Sequence, residues 1–308
     1  MYKPIQRAWL IIRTGVGLWL EHNAFLHAGA LAFFTLFSLA PTLIIAVTVI
    51  GVVLGEGAAQ GQVVAQLKGA MGTDAAIFVE QAILASRIDE AGLLPTMVGV
   101  GALLIGATTV FGQLRYSLNL LWGVRPAPGR SRFTPLGRFA KTRLLALLVV
   151  LLIGLGFLLY FVAITALQVA VAYFHVKGLG LLPALQLDVL SWAARSAVAV
   201  LVTTLFVAAV FKVLPDVLVS WRDVLPGALV TALMLTAGRY GIAAFLSSTA
   251  IASAYGAAAS LLVVLMWVYF SALLLLLGAA LTRAYLGVCG RPMLPGSTAV
   301  RVVQQRME

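Results

Sequence analysis

Charged residues are scarce in this chain. Only 10% of its 308 residues are Asp, Glu, Lys or Arg, whereas 62% are hydrophobic and the mean hydropathy is +1.06. A soluble domain of this length carries about 25% charged residues. So much apolar surface cannot be hidden in a water-soluble core. The composition therefore excludes an ordinary soluble globular protein and predicts a chain whose solvent is largely lipid.

Cysteine and histidine are also nearly absent. One cysteine, Cys289, excludes an intrachain disulfide, and the three histidines include no pair at the spacing that a zinc site on one helix needs. The chain lacks a glycine-rich phosphate loop, a nucleophile elbow and a cluster of carboxylates on its predicted cytoplasmic side. We therefore expect no catalytic residue, no metal site, no cofactor and no enzymatic activity.

Long apolar stretches are what the sequence does contain. A spanning helix needs about 20 mostly apolar residues. Six stretches meet this requirement: 28–54, 93–113, 144–174, 188–211, 224–247 and 253–282. We therefore predict an all-α, polytopic membrane protein, with a single bundle of six transmembrane helices over residues 28–287.

The basic residues set the orientation of these spans. Fifteen of the 21 Lys and Arg residues fall on one side of the predicted membrane, in the N-terminal segment, the loops after the second and fourth spans, and the tail. Three fall on the other side. Because cytoplasmic loops are enriched in Lys and Arg, both termini are predicted to be cytoplasmic. Topology then explains the net charge of +11, and we expect no nucleic-acid partner.

Several segments lie outside the predicted spans. Residues 1–27 contain a predicted interfacial helix at 4–20, and loop 55–92 is predicted to be a short periplasmic helical cap. The basic loop 123–143 either binds anionic lipid head groups through its cations at 125–143 or only obeys the orientation rule. Residues 288–308 form a predicted cytoplasmic tail. The apolar face of the interfacial helix comprises Ile5, Trp9, Ile12, Val16 and Leu20.

One arginine stands in a long uncharged stretch. Arg239 has no other charged residue between Asp223 and Arg283. An arginine at the centre of a spanning helix costs about 2.5–3.5 kcal/mol, so it needs a partner, water or a route to the interface. Arg195 in the preceding span lies at a similar predicted depth, roughly 10–12 Å below the outer surface. We predict a pocket in which Arg195, Arg239 and Tyr255 hold an anionic group. The alternative is that each arginine snorkels outward to the lipid interface.

Four motifs occur in order between residues 20 and 287: "HAGALAFFTLFSLAPTLIIA", "VFGQLRYSLNLLWGV", "FKVLPDVLVSWRDVLPGAL" and "YGAAASLLVVLMWVYFSALLLLLGA". As a set they resemble the YihY/virulence factor BrkB family, formerly called ribonuclease BN. The resemblance implies a six-helix protein of the inner membrane. The family usually has Gly-Ala-Glu at the end of its last span, where this chain has Gly278-Ala279-Ala280, so any role of that glutamate is missing here.

Some residues of the predicted spans are candidates for a structural or gating role. Asn119, Pro215 and Asp216 lie in the motifs of the resemblance, and Pro41 removes a backbone hydrogen bond from the first span. We expect the protein to transport or translocate an anionic small molecule or lipid. The alternative is a non-transporting scaffold that serves an envelope lipid-handling machine with a periplasmic protein partner. A ribonuclease is the least favoured interpretation.

The predicted topology can be tested with reporters. A reporter that is active only in the cytoplasm, fused after Glu308, is expected to be active, because the positive side of the chain faces inward. A cysteine placed at Gln60 is expected to react with an impermeant thiol reagent from the periplasm. Activity of a periplasm-only reporter at Glu308, or labelling of residue 60 from the cytoplasm alone, would contradict this topology.

Overall fold

A computed structural model of the chain describes residues 4–36, 61, 80, 109–126, 184–248, 259–291, 293–296 and 299–301. These ranges are mostly helical. The helices are α1 Pro4–Glu21, α2 Ala24–Leu36, α3 at 109–121, α4 Ala184–Val213, α5 Trp221–Ser248 and α6 Ala259–Val288. The strands are β1 Val124–Pro126, β2 Val217–Leu218, β3 Leu294–Pro295 and β4 Ala299–Arg301.

Within these ranges the predicted spans are helical, as expected, but the observed helix ends differ from the predicted ones. The fourth and fifth predicted spans correspond to α4 and α5, which are longer by a few residues at one or both ends. The sixth span corresponds to α6, which continues past the predicted end at 282 to 288. The second span meets the described residues only at 109–113, which lie in α3, and α3 continues to 121. Residues 37–54 of the first span, residues 93–108 of the second, the third span and nearly all of loop 55–92 lie outside the described residues, so the count of six spans stays a prediction.

Two of the described helices contain a segment that could cross a membrane by length and composition. The segments are Ser196–Val213 in α4 and Leu261–Val288 in α6, with mean hydropathies of 2.2 and 2.6. One or two such helices alone are weak evidence, because the core helix of a soluble protein passes the same test. Here, however, only 28% and 22% of the two segments are buried, whereas a core helix would be mostly buried.

Helices α5 and α6 are joined by a reciprocal contact of two glycines and two threonines. A Cβ on Gly227 would overlap Thr282 Oγ1, and a Cβ on Gly278 would overlap Thr231 Oγ1. Each threonine hydroxyl also donates to the carbonyl oxygen of the glycine four residues earlier in its own helix, at 2.7 Å. The hydroxyls are therefore satisfied within each helix, and the glycines let the two backbones come close.

Helix α1 lies along α6. A Cβ on Gly15 would come within 2.7 Å of Leu281 Cδ2, and Trp19 Nε1 donates to Leu273 O at 3.3 Å. The helix ends at a turn in which Asn23 has a φ of 50°, a left-handed conformation that asparagine tolerates. The predicted N-terminal helix is confirmed with one added residue, and its place at a membrane interface stays a prediction.

The two short sheets gather several chain segments at one end of the helices. Strand β1 follows α3 and pairs antiparallel with β4. Strand β2, in the link between α4 and α5, pairs antiparallel with β3. Both partners come after α6, which ends at a cap where Gly290 has a φ of 65° and Arg291 N donates to Leu286 O at 3.0 Å. The expected all-α fold therefore also contains strands, in two sheets of two strands within the described ranges.

The described hydrophobic core extends from the α1–α2 turn to this same end. It combines short side chains of α2 and α6 with larger ones of α3, α4 and α6, among which Phe211, Leu118, Leu276 and Val207 are fully buried. Ala280, where the family resemblance leads us to expect a glutamate, is also fully buried in this core. A carboxylate at that position would have to be desolvated, so an alanine is compatible with the packing seen here.

The contact between α5 and α6 predicts an intolerance of even one added methyl group. We expect Gly227→Ala and Gly278→Ala each to destabilise the protein by about 1–3 kcal/mol, because the new Cβ overpacks against a threonine. The thermal unfolding midpoint of the purified protein in detergent would measure this.

Gly241→Ala in α5 is the matched control. A Cβ added to Gly241 would meet no atom of another described element within 4 Å, so alanine should leave the midpoint unchanged or raise it. An equal loss in all three variants would mean that the effect is not specific to the α5–α6 contact.

Candidate functional site

Asp216 is the centre of a polar cluster at the strand-bearing end of the helices. Its Oδ1 accepts a hydrogen bond from Arg115 Nη2 at 2.5 Å, and its Oδ2 accepts one from Asn119 Nδ2 at 2.8 Å. Its backbone N–H donates to Asn119 Oδ1 at 2.8 Å. The side chains of Arg115 and Asp216 are 30% and 16% exposed. The carboxylate is therefore bound on both oxygens in a site that is largely withdrawn from water.

The local sequence explains why these groups meet. Arg115 and Asn119 are four residues apart in α3, so both lie on one face of that helix. Asp216 follows the buried Pro215, whose fixed φ restricts the link between α4 and β2. The next residue, Val217, is buried in the core and holds this link against the bundle. The structure thus brings together three of the predicted candidates, Asn119, Pro215 and Asp216.

The segment after α6 is tied to the same cluster. Gly296 N donates to Asp216 O at 2.8 Å, next to the pairing of β2 with β3. Arg283 Nη1 donates to Leu121 O, the carbonyl of the last residue of α3. A cation at the carboxyl end of a helix is favoured by the helix dipole. The position of α3 is therefore set from two sides, by Asp216 and by α6.

A second ion pair lies at the beginning of α5. Ser220 caps the helix: its backbone N–H and its Oγ hydrogen-bond to Asp223 Oδ2 at 3.2 and 2.8 Å. The other carboxylate oxygen accepts a hydrogen bond from Arg291 Nη1, beyond the end of α6. This pair therefore fastens the segment after α6 to the first turn of α5.

The pKa of Asp223 reflects these contacts. Burial alone raises it, but the hydrogen bonds from Ser220 and Arg291 lower it by more, so the pKa lies below its usual value. For a carboxyl group with a lowered folded-state pKa, the stabilisation is present above the unfolded-state pKa. It is lost as the pH falls through the folded-state pKa. Acidification should therefore weaken the attachment of Arg291 to α5.

A third polar cluster joins α2 to α3. His27 Nδ1 lies 3.2 Å from Ser117 Oγ and 3.4 Å from Gln113 Nε2, and Ser117 Oγ donates to Gln113 O at 2.8 Å. The rings of His27 and Tyr116 lie 5.7 Å apart. From the sequence alone, the spacing excluded only a zinc site in which His27 pairs with another histidine of the same helix. Its partners are about 90 residues away in sequence, and no local pattern indicates them.

Arg239 is half-buried and contacts its neighbour in sequence. Its Nη2 donates to Tyr240 Oη at 2.7 Å, and its guanidinium carbon lies 4.6 Å from the centroid of that ring. The side chain of Arg195 and all of Tyr255 and Pro41 lie outside the described residues, so the predicted three-residue pocket stays a prediction. Tyr240 was missed because adjacent residues point about 100° apart on a helix, and only the length of the arginine side chain lets them meet.

The described residues contain no group of three or more His, Cys, Asp or Glu side chains that could hold a metal ion. Asp216 and Asp223, the two carboxylates of the motif region, are both paired with arginines. In this arrangement they serve as acceptors for cations of the chain itself. The clusters thus couple α3, the α4–α5 link and the segment after α6.

Three comparisons relate the chain to known proteins. A family model described as Virulence factor BrkB matches residues 17–288. UPF0761 membrane proteins of Stenotrophomonas maltophilia, from strains K279a and R551-3, are each 33% identical over 86 residues, which is 28% of this chain and 20% of the relative. The aligned part thus spans about a fifth of the length of these curated relatives. No solved structure matches the chain.

The cluster around Asp216 predicts a strong coupling between distant segments. We expect Asp216→Ala to destabilise the protein by about 1–3 kcal/mol, because Arg115 and Asn119 lose their acceptor while largely buried. In a double-mutant cycle with Arg115→Met, the second substitution should cost less once the first is present. Thermal unfolding in detergent would measure both effects.

Arg291→Gln is the control, because it breaks an ion pair whose arginine is exposed and should change the unfolding midpoint little. Strict additivity in the cycle would show that Arg115 and Asp216 do not stabilise one another.

Proposed function

The chain belongs to the virulence factor BrkB family, whose matched relatives are membrane proteins, and from that premise we propose that it moves an anionic small molecule or lipid across the inner membrane. In this proposal, Arg195 and Arg239 line a pocket in the outer half of the bundle. The observation that carries the proposal is Arg239 itself, a permanent cation in the middle of α5 without a carboxylate partner among the described residues.

The surroundings of Arg239 favour an anion as its partner. The ion pairs of the described residues are Arg115–Asp216 and Arg291–Asp223, so neither described carboxylate of the motif region is left for Arg239. Tyr240 Oη accepts one of its N–H groups, which leaves other donors of the guanidinium fork for a ligand. A phosphate or carboxylate matches that fork, because it accepts two parallel hydrogen bonds from an arginine.

The positions of the two arginines along their helices support a common depth. Helices α4 and α5 pack against each other and are joined by a short link, so they run in opposite directions. Arg195 lies 18 residues before Val213, and Arg239 lies 18 residues after Trp221. At 1.5 Å per residue, both positions are about 27 Å along the helix axis from the link. The equal distances from the link support a single site to which both arginines contribute.

In this proposal, the cluster around Asp216 closes the passage through the bundle at its inner end. A passage through the bundle has to be shut on one side while the other is open. Helix α3 is held to the α4–α5 link by Arg115 and Asn119, so breaking these bonds would let the two elements separate. Asn119, Pro215 and Asp216 thereby take the gating role predicted from the sequence.

Flux through reconstituted protein tests the proposal. The full chain in liposomes should speed the transfer of fluorescent phosphatidylglycerol between leaflets, or the release of an entrapped carboxylate dye. Arg239→Ala and Arg195→Ala should each abolish that activity. Arg239→Lys should restore it only in part, since lysine cannot make the bidentate contact.

Arg13→Ala is the matched control, because Arg13 is an exposed cation of α1 far from the proposed pocket in sequence. It should insert, fold and transport like the unchanged chain. Full activity in the Arg195→Ala, Arg239→Ala double variant would refute the pocket. Absence of flux for both anionic lipids and small anions would refute transport and favour a scaffold.

A further inference from the structure

The pairing of β2 with β3 forms a small ribbon with two different faces. Val217 lies opposite Pro295, and Leu218 lies opposite Leu294. Directly opposite residues of an antiparallel pair have their side chains on the same face. Val217 is buried in the core and Pro295 is half-buried, so that face is turned toward the bundle. The pair Leu218–Leu294 lies on the other face. The four residues of β2 and β3 are called the link–tail ribbon below.

The outer face of the link–tail ribbon is apolar and uncovered. Leu218 is 63% exposed and Leu294 is 57% exposed. Trp221, the first residue of α5, is 50% exposed close by in sequence. The ribbon's inner face packs on the core, whereas these two leucines and the tryptophan lie outside the described core. Their exposure indicates a surface that something apolar covers.

The charges beside the link–tail ribbon are positive. The acidic residue of the link and that of the first turn of α5 are already bound, Asp216 by Arg115 and Asp223 by Arg291. Lys212 donates to the backbone carbonyl of Val219, which cannot neutralise its charge, and Arg222 is exposed. Neither Lys212 nor Arg222 forms an ion pair within the described part of the chain, and both lie within six residues of Leu218 in sequence. An anionic surface with an apolar interior matches this combination.

The ribbon also lies at the depth where such a surface occurs. The apolar segment of α4 that is long enough to cross a membrane ends at Val213, five residues before Leu218. Tryptophan is enriched at the boundary between acyl chains and head groups, and long cationic side chains reach from there to lipid phosphates. We propose that the link–tail ribbon is a lipid-binding surface: Leu218, Leu294 and Trp221 insert at the head-group boundary, and Arg222 and Lys212 hold the phosphate of an anionic lipid.

Depth-dependent fluorescence quenching tests the apolar part of this site. In a Cys289→Ser background, single cysteines at Leu218 or Leu294 would carry an environment-sensitive fluorophore, with the full chain in nanodiscs. Both sites are exposed, so labelling should not disturb the fold. A nitroxide near the lipid head group should quench both labels about twofold more than one near the chain end, as expected for insertion at the boundary.

The matched control is a label at Leu205, which is exposed within the apolar segment of α4 and should be quenched best by the deep nitroxide. If the labels at 218 and 294 are instead quenched by aqueous iodide and by neither nitroxide, the ribbon faces water. Labels shielded from both iodide and nitroxides would mean that a protein, such as a second copy, covers it. Either result overturns the proposal.

The lipid's charge is tested with the label at Leu294 and nitroxide-bearing phosphatidylglycerol or phosphatidylcholine. The anionic lipid should quench at lower concentration, and Arg222→Gln should reduce this preference about fivefold, equivalent to about 1 kcal/mol for one basic residue. Arg13→Gln removes the same charge from an exposed position of α1, outside the link–tail ribbon and outside the proposed pocket, and should leave the local preference unchanged. Equal quenching by both lipids in the unchanged chain would overturn the cationic part of the site.

Discussion

The close approach of α5 and α6 is the constraint on which the described structure depends. Two glycines, Gly227 and Gly278, each face a threonine of the other helix, and any larger side chain would force the helices apart. Their contact sets the distance between the beginning of α5 and the end of α6. It therefore fixes the distance between Asp223 and Arg291, which join those ends. The polar bonds at that end are possible because the apolar helices meet at one distance only.

The two clusters that contain ion pairs place their charges in a similar way. Within the described ranges, the carboxylate of each ion pair lies near a helix end, Asp216 just after α4 and Asp223 in the first turn of α5, and each pair joins segments far apart in sequence. Asp216 binds α3 through its side chain and the segment after α6 through its backbone carbonyl. A conformational change that releases Asp216 would thus be felt by both partners. Arg239 differs, since its described contacts are with the aromatic ring and hydroxyl of Tyr240 alone.

The helices could be predicted from the sequence because they depend on local periodicity. Contacts between residues far apart in the chain could not. Helices α1, α4 and α5 follow from apolar runs and a Pro4 start, and their observed ends differ by a few residues. Helix α3 runs past its predicted end because Arg115 and Asn119, which look unsuitable for a span, are satisfied by Asp216. The strands could not be predicted, since each has two or three residues and its partner lies elsewhere in the chain. Asn119 and Asp216 were identified through motifs, but their mutual contact was not.

The strand pairing has a consequence for biosynthesis. Strands β1 and β2 are translated long before β3 and β4, which follow α6 and are their partners. While the helices insert one after another, the backbone groups of β1 and β2 therefore lack their final hydrogen bonds. The ribosome has to finish the segment after α6 before this end of the bundle can lock. Nascent chains halted after Val288 would carry every described helix and yet lack the strands that pair with β1 and β2.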